Sequence, residues 1–184
     1  ITEEIFGFKI TAASYDELLM LIEEVAVKMQ YRFLSRKSSP KIIDCGANIG
    51  VTILFFKLLY PRSYILAFEP DPRAFSLLEK NIKQNKIRNV KLFNACLSSA
   101  REQIDFFPHS NSLFSNSLYP DQGKDSPVTV RVNSMMLSDF LNEESFDFVK
   151  IDAEGREWEI LLDLETTNTL GKAGQYLIAY HRTE

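Results

Sequence analysis

The stretch Lys41–Pro70, KIIDCGANIGVTILFFKLLYPRSYILAFEP, decides the fold. Lys41–Cys45 is a short apolar run suited to a buried parallel strand, with Asp44 near its end. Gly46-Ala47-Asn48-Ile49-Gly50 then turns the chain into a helix. Gly46 and Gly50 permit positive φ or a close backbone approach that a Cβ would block. Ile49, Ile53, Phe56 and Leu59 recur at helical spacing. Tyr64–Phe68 is a second strand, and Glu69-Pro70 closes it. In a doubly wound sheet, ligands lie beyond the carboxyl ends of the strands. Glu69 at that edge can accept hydrogen bonds from both hydroxyls of a ribose.

Two cofactor types use this layout. A nicotinamide dinucleotide requires G-x-G-x-x-G, because the pyrophosphate touches the backbone at the second glycine. Here the pattern is D-x-G-x-N-x-G, and Asn48 fills a place that motif keeps bare. S-adenosylmethionine carries no phosphate. Asp44 can face its ammonium, and the turn amides can take its carboxylate. The turn together with Glu69-Pro70 favours S-adenosylmethionine over a dinucleotide and over a merely tight turn.

The 184 residues fit one domain. A hydrophobic fraction of 45% is enough for a sizeable core. With a net charge of −4 and scattered basic residues, no electrostatic footprint for nucleic acid is present. Arg32, Arg36 and Lys37 form the densest basic cluster and read as a solvated loop. No apolar run approaches the roughly 20 residues that span a bilayer. Thr2-Glu3-Glu4 is acidic where a secretory leader would be basic. A cytoplasmic protein that avoids membranes is therefore expected. Cys45 and Cys96 fit buried, reduced thiols. His109 and His181 show no metal-ligand spacing with them, so no metal is expected.

Ser14-Tyr15-Asp16-Glu17 is a capping box. Leu18, Ile22, Val25 and Met29 continue it as an amphipathic helix to about Gln30, against the sheet edge or over the cofactor cleft. Ser35–Pro40 is a polar connector. Asp71 is an N-cap with Pro72 at the first helical position, and Phe75, Leu78 and Ile82 form that helix's apolar face. Val90–Asn94 is a third strand. Ala95 follows it, where an adenine edge can meet backbone groups. Gln103–Phe107 and Val128–Val132 read as a strand pair. Pro108–Pro127 between them suits a lid, an acceptor-binding loop or a plain hairpin tip. Leu137–Leu141 is a short helix and Phe146–Asp152 a buried strand. Arg156–Glu165 is a helix with Trp158, Leu161 and Leu162 on its apolar face. Tyr176–Tyr180 is the last strand. The alternation argues for a mostly parallel α/β sheet.

Lys150-Ile151-Asp152-Ala153-Glu154-Gly155 forms a second constellation at the same sheet edge. Charge there is costly unless paired or facing a solvated cleft. Read structurally, it is a capped helix with a Lys150–Asp152 ion pair. Read functionally, Lys150, Asp152 and Glu154 line a site, with His181 at the end of the last strand. Asp152, Glu154 and His181 are the candidate bases for a methyl transfer, which needs an acceptor positioned and deprotonated.

IIDCGANIG (Ile42–Gly50), AFEPDP (Ala67–Pro72) and KIDAEGREWEIL (Lys150–Leu161), with LIAYH (Leu177–His181), resemble the FkbM-type S-adenosylmethionine-dependent methyltransferases. The resemblance spans about Glu4 to His181. It implies a class I methyltransferase fold, Rossmann-like and doubly wound. A lid segment would occupy about residues 1–38 and a catalytic core about 40–184. It also implies cofactor binding through Asp44, Gly46, Ala47, Asn48, Gly50 and Glu69, to which the reading of the residues adds Pro70, Ala95 and Asp152, with the methyl near Asp152. The implied reaction is O-methylation of a small-molecule hydroxyl, often on a sugar or natural-product scaffold. Two features depart from the family. Ala179 stands where an acid usually precedes the histidine by two places, which leaves open a cofactor-binding module without catalysis. The usual C-terminal antiparallel hairpin is missing, which leaves open either a piece of a longer protein or a sheet edge completed by another copy in a homo-oligomer.

Overall fold

A computed structural model describes residues 1–107 and 129–181. The chain opens with a hairpin of β1 (Thr2–Ile5) and β2 (Phe8–Thr11), paired antiparallel. Its turn is made by Phe6 and Gly7, both at positive φ. Little in the sequence announces this hairpin, since Glu3 and Glu4 break any clean alternation ahead of Ile5, Phe8 and Ile10. Helix α1 (Tyr15–Ile22) follows, with the Ser14 hydroxyl accepting from the Glu17 N–H as the capping box requires. It does not run on to Gln30. The chain widens into a π-helical turn at Glu23–Val27, and Met29 at φ 51 reverses it.

The central sheet is built from β3 (Lys41–Cys45), α2 (Val51–Leu59), β4 (Tyr64–Phe68), α3 (Pro72–Gln84) and β5 (Val90–Phe93) in succession. The chain then forms β6 (Cys96–Leu97), β7 (Gln103–Phe106) and β8 (Val130–Met135). It finishes with α4 (Leu137–Glu143), β9 (Phe148–Ile151), α5 (Glu157–Thr166) and β10 (Tyr176–Ile178). The main sheet has order β10-β9-β3-β4-β5, with every pair parallel. Strand β8 forms a small separate sheet, antiparallel to β7 and parallel to β6. The expected strand pair is therefore present. The segment Pro108–Pro127, with His109, lies outside the described residues.

Adjacent residues on each central strand point to opposite faces, so an all-apolar strand feeds two cores. Ile42, Ile65, Ala67 and Phe148 pack with α1, α2 and α3 through Leu18, Ile53, Phe56 and Leu78. Ile43, Leu66, Phe68, Val149 and Ile151 pack on the other face against Leu137, Leu141, Ile160 and Leu164. This layering is the doubly wound architecture.

Helix α5 corrects one expectation. Ile160 and Leu164 face the sheet, while Trp158 is 62% exposed and Leu162 lies at the surface. The sheet-facing stripe follows 157, 160 and 164 at helical spacing, and the buried side of the helix includes two acids, Glu157 and Asp163. Asp163 is buried because it accepts from the Ser138 N–H and hydroxyl at the start of α4. Those acids hid the stripe from a reading by hydrophobicity. The cysteines are buried and free, as expected.

Lys57 on α2 is only 5% exposed, and its Nζ donates to the Ser63 carbonyl at 2.5 Å. Burial pushes its ammonium down to about 8. Between that value and the ordinary lysine range, the unfolded chain holds more protons than the folded one. Stability therefore rises with pH across that window. Wild type should gain about 2 kcal/mol relative to Lys57→Met between about pH 7.5 and pH 10. Paired urea titrations check this, and a parallel pH response in the two proteins refutes it.

Candidate active site

A cleft of about 330 Å³ opens at the carboxyl edge of the main sheet. That is within the size range of cofactor sites. One wall comes from the N-terminal segment: Met20, Leu21, Glu24, Val25, Gln30 and Tyr31. The other comes from the ends of β3, β4, β9 and β10, with Gly46–Asn48, Glu69, Lys150, Asp152–Glu154 and His181. The three sequence constellations thus meet in one place, and the N-terminal segment covers them.

The turn after β3 is held by its own hydrogen bonds. Gly46 N–H and Ala47 N–H donate to Phe68 O, at 2.9 and 3.0 Å. Asn48 N–H donates to Glu69 Oε2 at 2.8 Å, Ile49 N–H to Asn48 Oδ1, and Gly50 N–H to Ala47 O. These amides are therefore committed to acceptors within the protein. The start of α2 offers Val51 and Thr52, whose N–H groups have no acceptor within the helix. Both residues line the cleft.

Gly46 adopts φ +80, and a Cβ there would sit 1.9 Å from the Asp152 carbonyl oxygen. Its requirement is thus set by the neighbouring strand end rather than by a ligand. Gly50, at φ +91, abuts Leu78 of α3 and lies away from the cleft. Asn48 adopts φ 48, a conformation asparagine tolerates better than most residues.

Asp44 is fully buried. It does not line the cleft. It accepts from the Thr52 hydroxyl and pairs with Lys150 Nζ at 3.1 Å. Burial pushes its carboxyl up, and the Lys150 charge opposes that. Lys150 is the hub beneath the cleft. Its Nζ donates to Gly46 O at 2.7 Å and Cys45 O at 3.2 Å, and lies 3.5 Å from Asp152 Oδ2. Burial alone would depress its ammonium, but Asp44 and Asp152 hold it above the ordinary value. The predicted Lys150–Asp152 pair exists, yet Asp44 is the closer partner.

Glu69 stands at the end of β4 as expected, and accepts from the Asn48 and Asp71 N–H groups at 2.8 Å each. Burial pushes its carboxyl up to about 7 against those two donors. Pro70 and Ala95 line a separate hollow of about 20 Å³ with Phe68, Leu97 and Arg156, continuous with Gly46.

Glu154 takes φ 50, strained for a residue with a side chain, and lines the cleft. Burial raises its carboxyl to about 7, and His181 opposes the rise. His181 Nδ1 lies 3.1 Å from Glu157 Oε1, and its Nε2 lies 3.9 Å from Glu154 Oε2. Burial would lower the imidazole, but the Glu157 hydrogen bond and the charges of Glu154 and Asp152 hold it above its usual value. Asp152, Glu157 and His181 each offer one atom within 4.8 Å of the others, a spacing a cation could bridge. Glu157 is already engaged, because it accepts from the Ala153, Gly155 and His181 N–H groups. The cluster reads as an ion-pair network.

Sequence reasoning missed Glu24 and Tyr31. Neither sits in a motif, and only folding brings Tyr31 to Asp152, 121 positions away.

A parallel sheet with a glycine turn after its central strand, an acid ending the next strand and acids ending the fourth is the class I methyltransferase fold. The family model of the methyltransferase FkbM domain matches residues 44–182, and the chain belongs to that family. It is 33% identical over 181 residues to methyltransferase sdnD of Sordaria araneosa, covering 82% of this chain and 70% of that protein. It is 27% identical over 161 residues to the 2-O-methyltransferase NoeI of Sinorhizobium fredii, covering 78% and 65%. The FkbM methyltransferase structure from Methylobacillus flagellatus superposes with TM-score 0.53 at 16% identity, over 73% of this chain and 31% of that one. Among the described residues, no helix is long and apolar enough to cross a membrane.

Proposed function

We propose that this domain transfers the methyl group of S-adenosylmethionine to a hydroxyl of a small molecule, with sugar-bearing scaffolds as the first class to test. The observation that carries the reading is the convergence of the Gly46 turn, Glu69 and Asp152 on one cleft. The O-methyl assignment draws on the likeness to NoeI, whose name states that chemistry. The residues fit the cofactor. Glu69 keeps lone pairs for two ribose hydroxyls beyond the two amides it already accepts from. The start of α2, where Val51 and Thr52 line the cleft, suits a carboxylate.

When bound, the cofactor supplies a methyl group on an already activated sulfonium. The protein's task is then to hold the acceptor in line and take its proton. Glu154 is the better base, because its carboxyl titrates near neutrality and faces the cleft. His181, held toward its cationic form, serves as the counter-charge that positions Glu154 and Asp152. Among the three candidate bases, Asp152, Glu154 and His181, this reading prefers Glu154. Lys150 acts below the surface by fixing the turn and Asp152.

Titration calorimetry with S-adenosylhomocysteine tests the reading, with NAD as control. Glu69→Ala should weaken binding about a hundredfold, the worth of two hydrogen bonds to a charged group. Ionised Glu69 is the form that accepts both hydroxyls, so affinity is lost as pH falls through about 7. Wild type should bind about tenfold more weakly at pH 6 than at pH 8, and Glu69→Gln should lack that slope. Binding of NAD in preference to S-adenosylhomocysteine would overturn the assignment.

A further inference from the structure

The N-terminal wall of the cleft holds an arrangement that no sequence motif explains. Tyr31 is buried, and its Oη lies 2.6 Å from Glu24 Oε1 and 2.7 Å from Asp152 Oδ2. A phenol carries one hydrogen and can donate it to one carboxylate. The second contact is an oxygen facing an oxygen with no hydrogen from Tyr31 between them. Lys150 approaches only Asp152, at 3.5 Å, and its stronger bonds go to Gly46 O and Asp44. Two carboxylates on opposite walls of the cleft therefore share a single donor. The pair lacks one hydrogen, and the nearby cations, Lys150 and His181 with its Nδ1 at 3.9 Å, both stand on the Asp152 side, so among the described residues Glu24 has no ion-pair partner.

The local backbone is built to make this meeting. The π-helical turn at Glu23–Val27 closes with Lys28 N–H on Glu23 O at 2.8 Å, and Gln30 N–H reaches back to Glu24 O at 3.3 Å. Met29 then reverses the chain at φ 51 and brings Tyr31 under Glu24. Widened turns of this kind interrupt regular helical bonding and recur at functional sites. Lys150 Nζ lies 4.8 Å from the centre of the Tyr31 ring, which fixes the phenol against the sheet edge.

A primary ammonium supplies what is lacking: three N–H donors and a unit charge. We infer that Glu24 and Asp152, bridged by Tyr31, seat the α-ammonium at the amino-acid end of the cofactor, so that the N-terminal segment closes on it. This rests on the cofactor reading above. It assigns to Glu24 the role that the sequence suggested for Asp44, which lies buried beneath the cleft.

The test uses two ligands that differ only at that end. S-adenosylhomocysteine carries the amino-acid portion, and 5′-methylthioadenosine lacks it but keeps the adenosine and thioether. Calorimetry on wild type, Glu24→Gln and Tyr31→Phe should show S-adenosylhomocysteine weakened about tenfold or more in each variant. Methylthioadenosine affinity should stay within about twofold, since neither residue touches the shared part. Unchanged S-adenosylhomocysteine affinity in the two variants would overturn the inference. So would equal weakening of both ligands, which would mark a purely structural wall. Wild type that binds neither ligand would instead remove the cofactor reading itself, and this inference with it.

Discussion

Gly46→Ala is expected to abolish S-adenosylhomocysteine binding and to destabilise the fold by about 2–4 kcal/mol. The methyl group would stand 1.9 Å from the Asp152 carbonyl oxygen, which is backbone and cannot rotate away. Separating β3 from β9 at their ends would break the Asp152 N–H bond to Cys45 O. Overpacking of this kind costs about 1–3 kcal/mol, and alanine at φ +80 adds about 1 kcal/mol. The cleft is lined by the two residues forced apart, so binding should fail even in the folded fraction. Urea unfolding and calorimetry on the same preparation measure both effects. A folded variant that binds normally would mean that the turn does not shape the site.

Lys150→Met should cost about 3–5 kcal/mol, because it leaves Asp44 buried without its counter-charge. The same change releases the carbonyls of Cys45 and Gly46, so the turn loses its anchor from below. The double variant Asp44→Asn/Lys150→Met separates these effects. It removes the unpaired charge and should recover more than half of the lost stability, yet it should not restore cofactor affinity. If the double variant is no more stable than Lys150→Met, the buried charge is not the source of the loss, and the anchoring of the turn is. If it also regains full affinity, Lys150 has no part in shaping the cleft.

These two residues show how far the sequence could be read. The order of strand, glycine turn, helix and acid-ended strand was legible because each part depends on local chemistry. Asp71 caps α3 and Pro72 starts it, as their types require. The central strands read as buried because both of their faces are apolar. The Trp158 face of α5 was misread, because a buried Glu157 and Asp163 look like surface residues until their partners are known. Likewise, the helix that opens with Ser14 carries good helical spacing to Met29, and nothing in that spacing marks where a widened turn interrupts it.

The sequence by itself determined the class of fold, the edge of the sheet that carries the candidate site, and Glu69 as the acid that closes its second strand, since short-range pattern and strand order dictate all three. Tertiary structure alone decided which charged groups face the cleft and which lie beneath it. Asp44 sits in a motif that reads as a site, yet it lies outside the cleft lining and pairs with Lys150, which is buried at the cleft's base. Glu24 and Tyr31 sit in no motif, yet they form its wall. The physical reason is that burial and ion pairing are set by neighbours distant in sequence: Asp44 meets Lys150 across adjacent strands, and Tyr31 meets Asp152 only once the N-terminal segment folds over the sheet edge.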